Sequence, residues 1–192
     1  MFLDSKGFIW IGYQNAGVSR FDPKTERFLH FPADKTLITK GFEKDKKYYA
    51  PVINKAEQVY FPTGLVSSFS EDKQGNIWVA TAGGLYKLTS IGESNYQLNR
   101  LEHSTDDDSF VFSVIVDENQ NLWLGTALGL YYSKFNVSAK EERTFKQILL
   151  LPNQDISEVV RMSLIKNNRL WLSTMRDGLF QVDVNSLKVT PL

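Results

Sequence analysis

Short apolar runs alternate with turns rich in Asp, Asn and Gly along most of this 192-residue chain. In one stretch, Val111–Val116 is apolar at nearly every position, and the apolar runs Leu122–Thr126 and Leu130–Phe135 follow it. Asp117–Asn121 separates the first two runs with residues that tolerate left-handed backbone or bond their own backbone. Runs of this length between turn signals predict β-strands, and Thr144–Leu150 predicts a fourth strand beside them.

The same pattern occurs four times, and each copy places a tryptophan in its second predicted strand. Successive tryptophans are 68, 45 and 48 positions apart, and the last two steps match the period of about 40–50 residues of a four-stranded propeller blade. Each copy then reaches a glycine before an apolar residue, where a hairpin turn needs positive φ. The residues are Trp10, Trp78, Trp123 and Trp171, with Gly17, Gly84, Gly129 and Gly178.

The repeat predicts an all-β fold: a single β-propeller region, 1–192, of four four-stranded blades. We interpret the recurrent tryptophan as a wedge that packs one blade on the next. The blades cover about 1–35, 64–102, 109–151 and 156–192, and residues 36–63 form an insertion, with a predicted hairpin of arms Tyr48–Ile53 and Gln58–Phe61. The other predicted strands are the end of a first strand at Phe2–Asp4, then Phe8–Tyr13, Gly17–Phe21, Arg27–Phe31, Val66–Glu71, Asn76–Thr81, Gly84–Leu88, Tyr96–Leu101, Val159–Ile165 and a last strand near Leu187–Leu192.

The second copy, Asp72–Tyr86, reads Asp-Lys-Gln-Gly-Asn-Ile-Trp-Val-Ala-Thr-Ala-Gly-Gly-Leu-Tyr and resembles the two-component regulator propeller repeat. The resemblance implies the periplasmic sensor region of a membrane-anchored bacterial protein, either a hybrid histidine kinase or a diguanylate cyclase. Propellers of this family are typically seven-bladed, so the resemblance implies that these four blades are a fragment of a larger propeller. The fourth copy departs from the pattern, with Ile165 in place of Asp and Asn168 in place of Gly, which weakens its turn signal.

Composition excludes several classes of function. The net charge is zero, which gives no electrostatic argument for binding nucleic acid or an anionic membrane. The absence of cysteine excludes disulfides, thiolate metal sites and cysteine nucleophiles. The longest aliphatic run, Ile148–Leu151, is too short to span a membrane, so we expect no membrane contact within this chain. We expect no cofactor, and we expect self-association, because an open fragment exposes blade faces and a sheet edge.

In a propeller, the fourth-to-first and second-to-third connections lie together at the mouth of the central channel, and function tends to reside on such loops. We predict that these connections bind a small molecule or a glycan. The candidate ligand-binding residues there are Gln14, Asn15, Tyr48, Tyr49, His103, Asp106, Asn153, Arg176 and Asp177.

Simpler roles compete with binding at these positions. Arg176 and Asp177 also fit a solvated hairpin turn, and Tyr48 and Tyr49 also fit a strand with one ring packed inside. The run Asp106–Asp108 lacks the glycine and distal glutamate of an EF-hand loop, which favours a solvated acidic loop over a cation site.

Three functions stay open on the sequence. The first is a non-catalytic sensing or relay module, whose kinase or cyclase effector lies outside this chain. The second is a propeller that serves as a protein-interaction platform. The third is an enzyme like the streptogramin lyases, which are similar to this family in repeat style and use histidine and acidic residues with a metal. Only His103 of the two histidines is placed for that role, because His30 lies in a predicted rim strand.

Overall fold

A computed structural model describes residues 1–33, 61, 64–92, 94–101, 110–135, 143–151, 158–165 and 168–192. Throughout these residues the regular elements are strands, arranged as four antiparallel four-stranded sheets. The strands are β1 (Phe2–Leu3), β2 (Ile9–Gly12), β3 (Val18–Asp22), β4 (Arg27–Phe31), β5 (Val66–Glu71), β6 (Ile77–Thr81), β7 (Gly84–Ser90), β8 (Tyr96–Leu101), β9 (Val111–Val116), β10 (Leu122–Thr126), β11 (Gly129–Ser133), β12 (Lys146–Ile148), β13 (Val159–Ile165), β14 (Arg169–Thr174), β15 (Leu179–Asp183) and β16 (Val189–Pro191).

Each sheet keeps its four strands in chain order, so every neighbouring pair is a hairpin. Consecutive four-stranded meanders of this kind are the blades of a β-propeller, and the predicted all-β propeller with four blades is confirmed. The chain divides into two compact units, Met1–Glu102 and His103–Leu192. The first unit holds the sheets β1–β4 and β5–β8, and the second holds β9–β12 and β13–β16.

Most strand bounds agree with prediction, and two differ for reasons of pairing. Strand β7 runs on to Ser90, beyond the predicted end at Leu88, because Thr89 and Ser90 still pair with β8. Strand β12 covers only Lys146–Ile148 of the predicted Thr144–Leu150, because β11 offers it just three partners, Leu130–Tyr132. The predicted hairpin in the insertion lies outside the described residues, except Phe61, which is buried and belongs to no strand.

Three of the four repeated tryptophans lie in the core with at most 2% of their surface exposed: Trp10, Trp78 and Trp123. In the first unit, the Trp10 ring packs edge-on against Tyr96 of the neighbouring sheet, with the ring centroids 5.9 Å apart. In the second unit, Trp123 shares an apolar cluster with Val159 and Leu170 of the neighbouring sheet. The predicted role of these rings as wedges between blades is confirmed at both positions.

Each buried indole is held by the aspartate six residues before it. The Nε1–H of Trp10 donates to Asp4 Oδ2 at 2.8 Å, and Trp78 and Trp123 donate to Asp72 and Asp117 at 3.0 Å. The other carboxylate oxygen accepts two backbone amides of the turn, as Asp72 Oδ1 does from Gln74 at 3.0 Å and from Asn76 at 2.9 Å. One carboxylate therefore shapes the first turn of the blade and satisfies the polar atom of its main core residue. The fourth copy has Ile165 at this position and lacks such an acceptor.

The turn requires left-handed backbone at its fourth residue, whatever residue stands there. Gly7 and Gly75 have φ of 86° and 77°, and Gln120 and Asn168 adopt 66° and 57° at the same position. Asn168, which replaces the glycine of the pattern in the fourth copy, therefore has the left-handed conformation found at this position in the other copies. The glycines before the third strands also have positive φ, as predicted.

Two glycines of the second strands allow the next sheet of the same unit to approach closely. A Cβ atom on Gly12 would lie 2.4 Å from Val66 Cγ1, and one on Gly125 would lie 2.7 Å from the carbonyl oxygen of Val159. Val66 and Val159 open the first strand of the following sheet. The glycine two positions after the tryptophan is thus a packing requirement in both units.

We expect Asp72→Ala to lower the free energy of unfolding by about 2–4 kcal/mol, because it removes the acceptor of the buried Trp78 indole and Asn76 amide, and also the bond from the exposed Gln74. Urea denaturation followed by tryptophan fluorescence measures the loss. Lys73→Ala, at an exposed position of the same turn, is the matched control and should change stability by less than about 0.5 kcal/mol. Equal stability of the two variants would contradict this role of the carboxylate.

We expect Gly12→Ala to destabilise the chain by about 1–3 kcal/mol, because its methyl group overlaps Val66. Val66→Ala removes Cγ1, the nearest clashing atom, and leaves Cβ at 2.6 Å, so the double variant should lose less stability than the sum of the two single variants. A double-mutant cycle by urea denaturation measures this coupling. Strictly additive losses would show that the two residues do not touch.

Candidate functional site

The predicted mouth of the first unit is built from backbone hydrogen bonds. Gln14 forms an isolated antiparallel bridge with Leu65, and the Asn15 amide donates to the Gly64 carbonyl at 2.8 Å. The Ala82 amide, in the turn between β6 and β7, donates to the Leu65 carbonyl at 2.9 Å. The segment before β5 therefore ties the second-to-third turns of both sheets together. The side chains of Gln14 and Asn15 are exposed at this end.

In the second unit, Arg176 and Asp177 occupy the turn between β14 and β15. The Arg176 side chain is exposed, and the Asp177 amide donates to Thr174 Oγ1 at 2.8 Å. The Met175 amide donates to the Glu158 carbonyl at 3.1 Å, which links this turn to the residue before β13. Tyr48, Tyr49, His103, Asp106 and Asn153 lie outside the described residues, and ligand binding at all nine candidates stays a prediction.

The first unit carries a cleft at the opposite end of its sheets. In a four-stranded meander the first and third turns lie at one end and the second turn lies at the other. The cleft has a volume of about 740 Å³, and the residues that line it come from β2, β3, β4, β6, β7 and β8 and from the first and third turns of both sheets. None of the predicted mouth residues lines it.

The base of the cleft is apolar and buried. Trp10 and Leu29 come from the first sheet, and Ile77 and Tyr96 come from the second, with at most 7% of each side chain exposed. Phe28 lies at the wall with 39% of its surface exposed. A cleft of this size with an apolar base and a few polar groups has the properties of a small-molecule site.

Arg20, on β3, is the central polar group of the cleft. Its guanidinium carbon lies 4.0 Å above the centroid of the Phe8 ring and 5.5 Å from that of Tyr96. Its Nη1 donates to the Tyr96 hydroxyl. Burial raises the pKa of Tyr96, which keeps the hydroxyl neutral. Arg20 Nε is buried without a hydrogen-bond partner in the described part of the chain.

The two carboxylates at the cleft are already occupied by donors. Asp4 accepts the amides of Lys6 and Phe8 and the indole of Trp10. Asp22 accepts the Lys24 amide and the Thr25 hydroxyl, each at 2.9 Å, and the bond from the Lys24 amide is the main cause that lowers the pKa of Asp22. Both carboxylates therefore stabilise the turns that follow them, because their oxygens accept hydrogen bonds from residues of those turns.

The sequence alone offered little sign of this cleft. Asp4 and Trp10 belong to the repeat, but Arg20, Thr25 and Ser94 match no motif. Arg20 and Tyr96 are 76 positions apart and meet only because two sheets pack together. Strand β3 also carries the polar residues Ser19 and Asp22, so Arg20 did not stand out there as a charge among apolar residues.

His30 is structural, as expected for a rim strand. Its Nδ1 lies 2.6 Å from Ser19 Oγ, and its ring stacks on Phe28 with centroids 5.9 Å apart. Burial lowers the pKa of His30 below its usual value. Over the described ranges, no three His, Asp or Glu side chains are grouped so that they could hold a metal ion. The same residues include no helix with the length and apolar character of a membrane span.

Residues 60–83 match the family model described as two component regulator propeller. The chain carries a two component regulator propeller repeat. The match covers the end of the insertion and most of the second copy, including Asp72 and Trp78, whose hydrogen bond recurs in the first and third copies. No curated protein matches the chain.

Solved structures support the propeller fold of this repeat. PorZ, a bacterial surface component of the type-IX secretion system of Porphyromonas gingivalis, superposes with a TM-score of 0.64 at 15% identity, over 97% of this chain and 26% of PorZ. Virginiamycin B lyase from Staphylococcus aureus gives 0.62 at 15% identity, over 98% of this chain and 53% of the lyase. The chain thus spans about a quarter and about half of these two proteins, which is consistent with a fragment of a larger propeller.

A third structure belongs to a protein of the signalling class. The extracellular domain of a putative hybrid two component system from B. thetaiotaomicron superposes with a TM-score of 0.49 at 14% identity, over 100% of this chain and 29% of that domain. A superposition at this level carries no argument of its own, and the assignment of the repeat rests on residues 60–83.

We expect the stability of the propeller chain to fall as the pH is lowered below about 6.5, in part through His30. Its pKa is lower in the folded state, so between the two pKa values the unfolded chain binds more protons and is favoured. Urea denaturation between pH 7.5 and 5 measures the slope. His30→Gln, which cannot titrate, should show a shallower slope than the wild type, and an unchanged slope would exclude this contribution.

Proposed function

We propose that this chain is a non-catalytic ligand-sensing or signal-relay module of a bacterial membrane-bound signalling protein, located in the periplasm. The match of residues 60–83 to the two component regulator propeller model is the observation that carries the proposal. The proposed partner is a small molecule or a glycan at the mouth loops, and the effector is a histidine kinase or a diguanylate cyclase elsewhere in the complete protein.

The geometry of the mouth loops supports a relay role. In the first unit, the Val66 amide donates to the Tyr13 carbonyl at 3.3 Å, next to the bridge between Gln14 and Leu65. A ligand that displaces the β2–β3 turn therefore also displaces β5, the first strand of the next sheet, through these hydrogen bonds. Gly12 leaves no free space against Val66, so such a displacement is transmitted rather than absorbed.

A protein-interaction platform is the second candidate. Large apolar side chains stand exposed beside the mouth turns of each unit: Leu65 in the first, and Met175 and Leu179 in the second, with 45%, 59% and 50% of their surfaces exposed.

The likeness to virginiamycin B lyase shows the fold alone. An enzymatic role through His103 is tested by measuring turnover of a candidate substrate with the His103→Ala variant.

Sequencing the reading frame on both sides of this chain in its source genome tests the sensor proposal. We expect it to encode further Trp-to-Gly repeats, a membrane span and a kinase or cyclase domain, because a sensor module acts through an effector. A frame that begins at Met1 and stops after Leu192 would leave the module without an effector and would refute the proposal. The protein-interaction platform would then be the favoured function.

A further inference from the structure

We propose that the cleft of the first unit binds a small organic anion, a carboxylate carried on a ring, with Arg20 as its central contact and Lys6 and Arg27 at its rim. This site goes beyond the proposed function, because it lies at the end of the sheets opposite to the mouth loops. Its occupancy does not depend on whether an effector is attached to the chain.

The charge of the ligand follows from an excess of unused donors in the cleft. Among the described residues, the side chains of Lys6 and Arg27 make no hydrogen bond or ion pair, and the Arg20 guanidinium makes one hydrogen bond from its five N–H groups. The carboxylates of Asp4 and Asp22, in contrast, each accept several donors of their own turns. The lining thus carries three cationic side chains, Lys6, Arg20 and Arg27, against two carboxylates, Asp4 and Asp22, a formal charge of +1 that favours an anion over a cation.

Arg20 is held in place before any ligand arrives. Its guanidinium packs on Phe8 and on Tyr96, and the bond to the Tyr96 hydroxyl fixes its orientation. A guanidinium presents parallel N–H groups that match the two oxygens of a carboxylate, and a side chain already ordered loses less entropy on binding. The low exposure of its surroundings strengthens the charged hydrogen bond relative to one in water.

The ring of the ligand follows from the shape and the apolar surface of the cleft. A volume of about 740 Å³ is far larger than a lone inorganic ion requires. Phe28 leaves 39% of its surface exposed at the wall, and the indole of Trp10 and the ring of Tyr96 form the base. The exposed part of the Phe28 ring packs against a flat or saturated ring above the buried base, while the carboxylate reaches Arg20.

The test uses the complete 192-residue chain and two pairs of probes: benzoate with benzamide, and glucuronate with glucose. Titration calorimetry and ¹⁵N-resolved indole N–H signals measure binding. We expect at least one acid to bind more than tenfold tighter than its neutral counterpart and to shift the Trp10 indole signal without moving that of Trp171. The two pairs distinguish an aromatic acid from a sugar acid. Binding should weaken as NaCl is raised from 20 to 200 mM.

Three variants assign the contacts. Arg20→Gln should weaken the bound acid about tenfold or more, because a charged hydrogen bond is lost. Arg27→Gln, at an exposed position, should weaken it about two- to fivefold without affecting folding. Lys24→Gln is the matched control, an exposed cation of the same β3–β4 turn that does not line the cleft, and it should bind as the wild type does.

The proposal is overturned if neither acid binds, if the neutral probes bind as tightly as the acids, or if both arginine variants keep wild-type affinity. If Arg20→Gln does not fold, the affinity of Arg27→Gln and the shift of the Trp10 indole signal in the wild type test the proposal instead. Ligand binding at the cleft does not depend on what the flanking reading frame encodes. The binding site and the sensor role can therefore be refuted separately.

Discussion

The hydrogen bond between a buried aspartate and the indole six residues later is the interaction on which each of the first three blades depends. A buried carboxylate is tolerated only when donors surround it, and here the turn amides and the tryptophan supply them. The same carboxylate therefore ends the first strand, sets the turn and orients the ring that fills the space between sheets. The fourth copy has Ile165 in place of the aspartate, and Trp171 is less buried than the other three tryptophans.

Close packing between sheets then determines what each end of the blades can do. Gly12 and Gly125 let the next first strand approach until no methyl group fits, which joins neighbouring sheets into rigid pairs. At one end of the sheets, backbone hydrogen bonds connect the turns and leave exposed side chains such as Gln14 and Asn15. At the other end, the sheets of the first unit diverge enough to leave a cleft with Arg20 at its centre.

The strands, the turns and the glycines of positive φ were predictable because each depends on residues close together in the chain. Val66–Glu71, Tyr96–Leu101, Val111–Val116 and Leu122–Thr126 have the bounds that were predicted from the repeat. The spacing from Asp72 to Trp78 was visible as part of the repeat, but a turn residue and a core residue gave no hint that they bond each other. Tyr48, Tyr49, His103, Asp106 and Asn153 fall outside the described residues, so the predicted mouth site stands as a hypothesis.

The sequence by itself determined the blades of this protein, because a turn, a hairpin and a wedge-shaped tryptophan are specified within about 45 residues and then repeated. Only the tertiary structure decided where an unassigned cleft lies. Arg20 meets Tyr96 across 76 positions, and Lys6, Thr25 and Ser94 reach the same cleft from three different turns. No local pattern encodes such a meeting, because it results from how closely two sheets pack. That approach depends on the missing Cβ of Gly12, which makes room for Val66 of the next sheet.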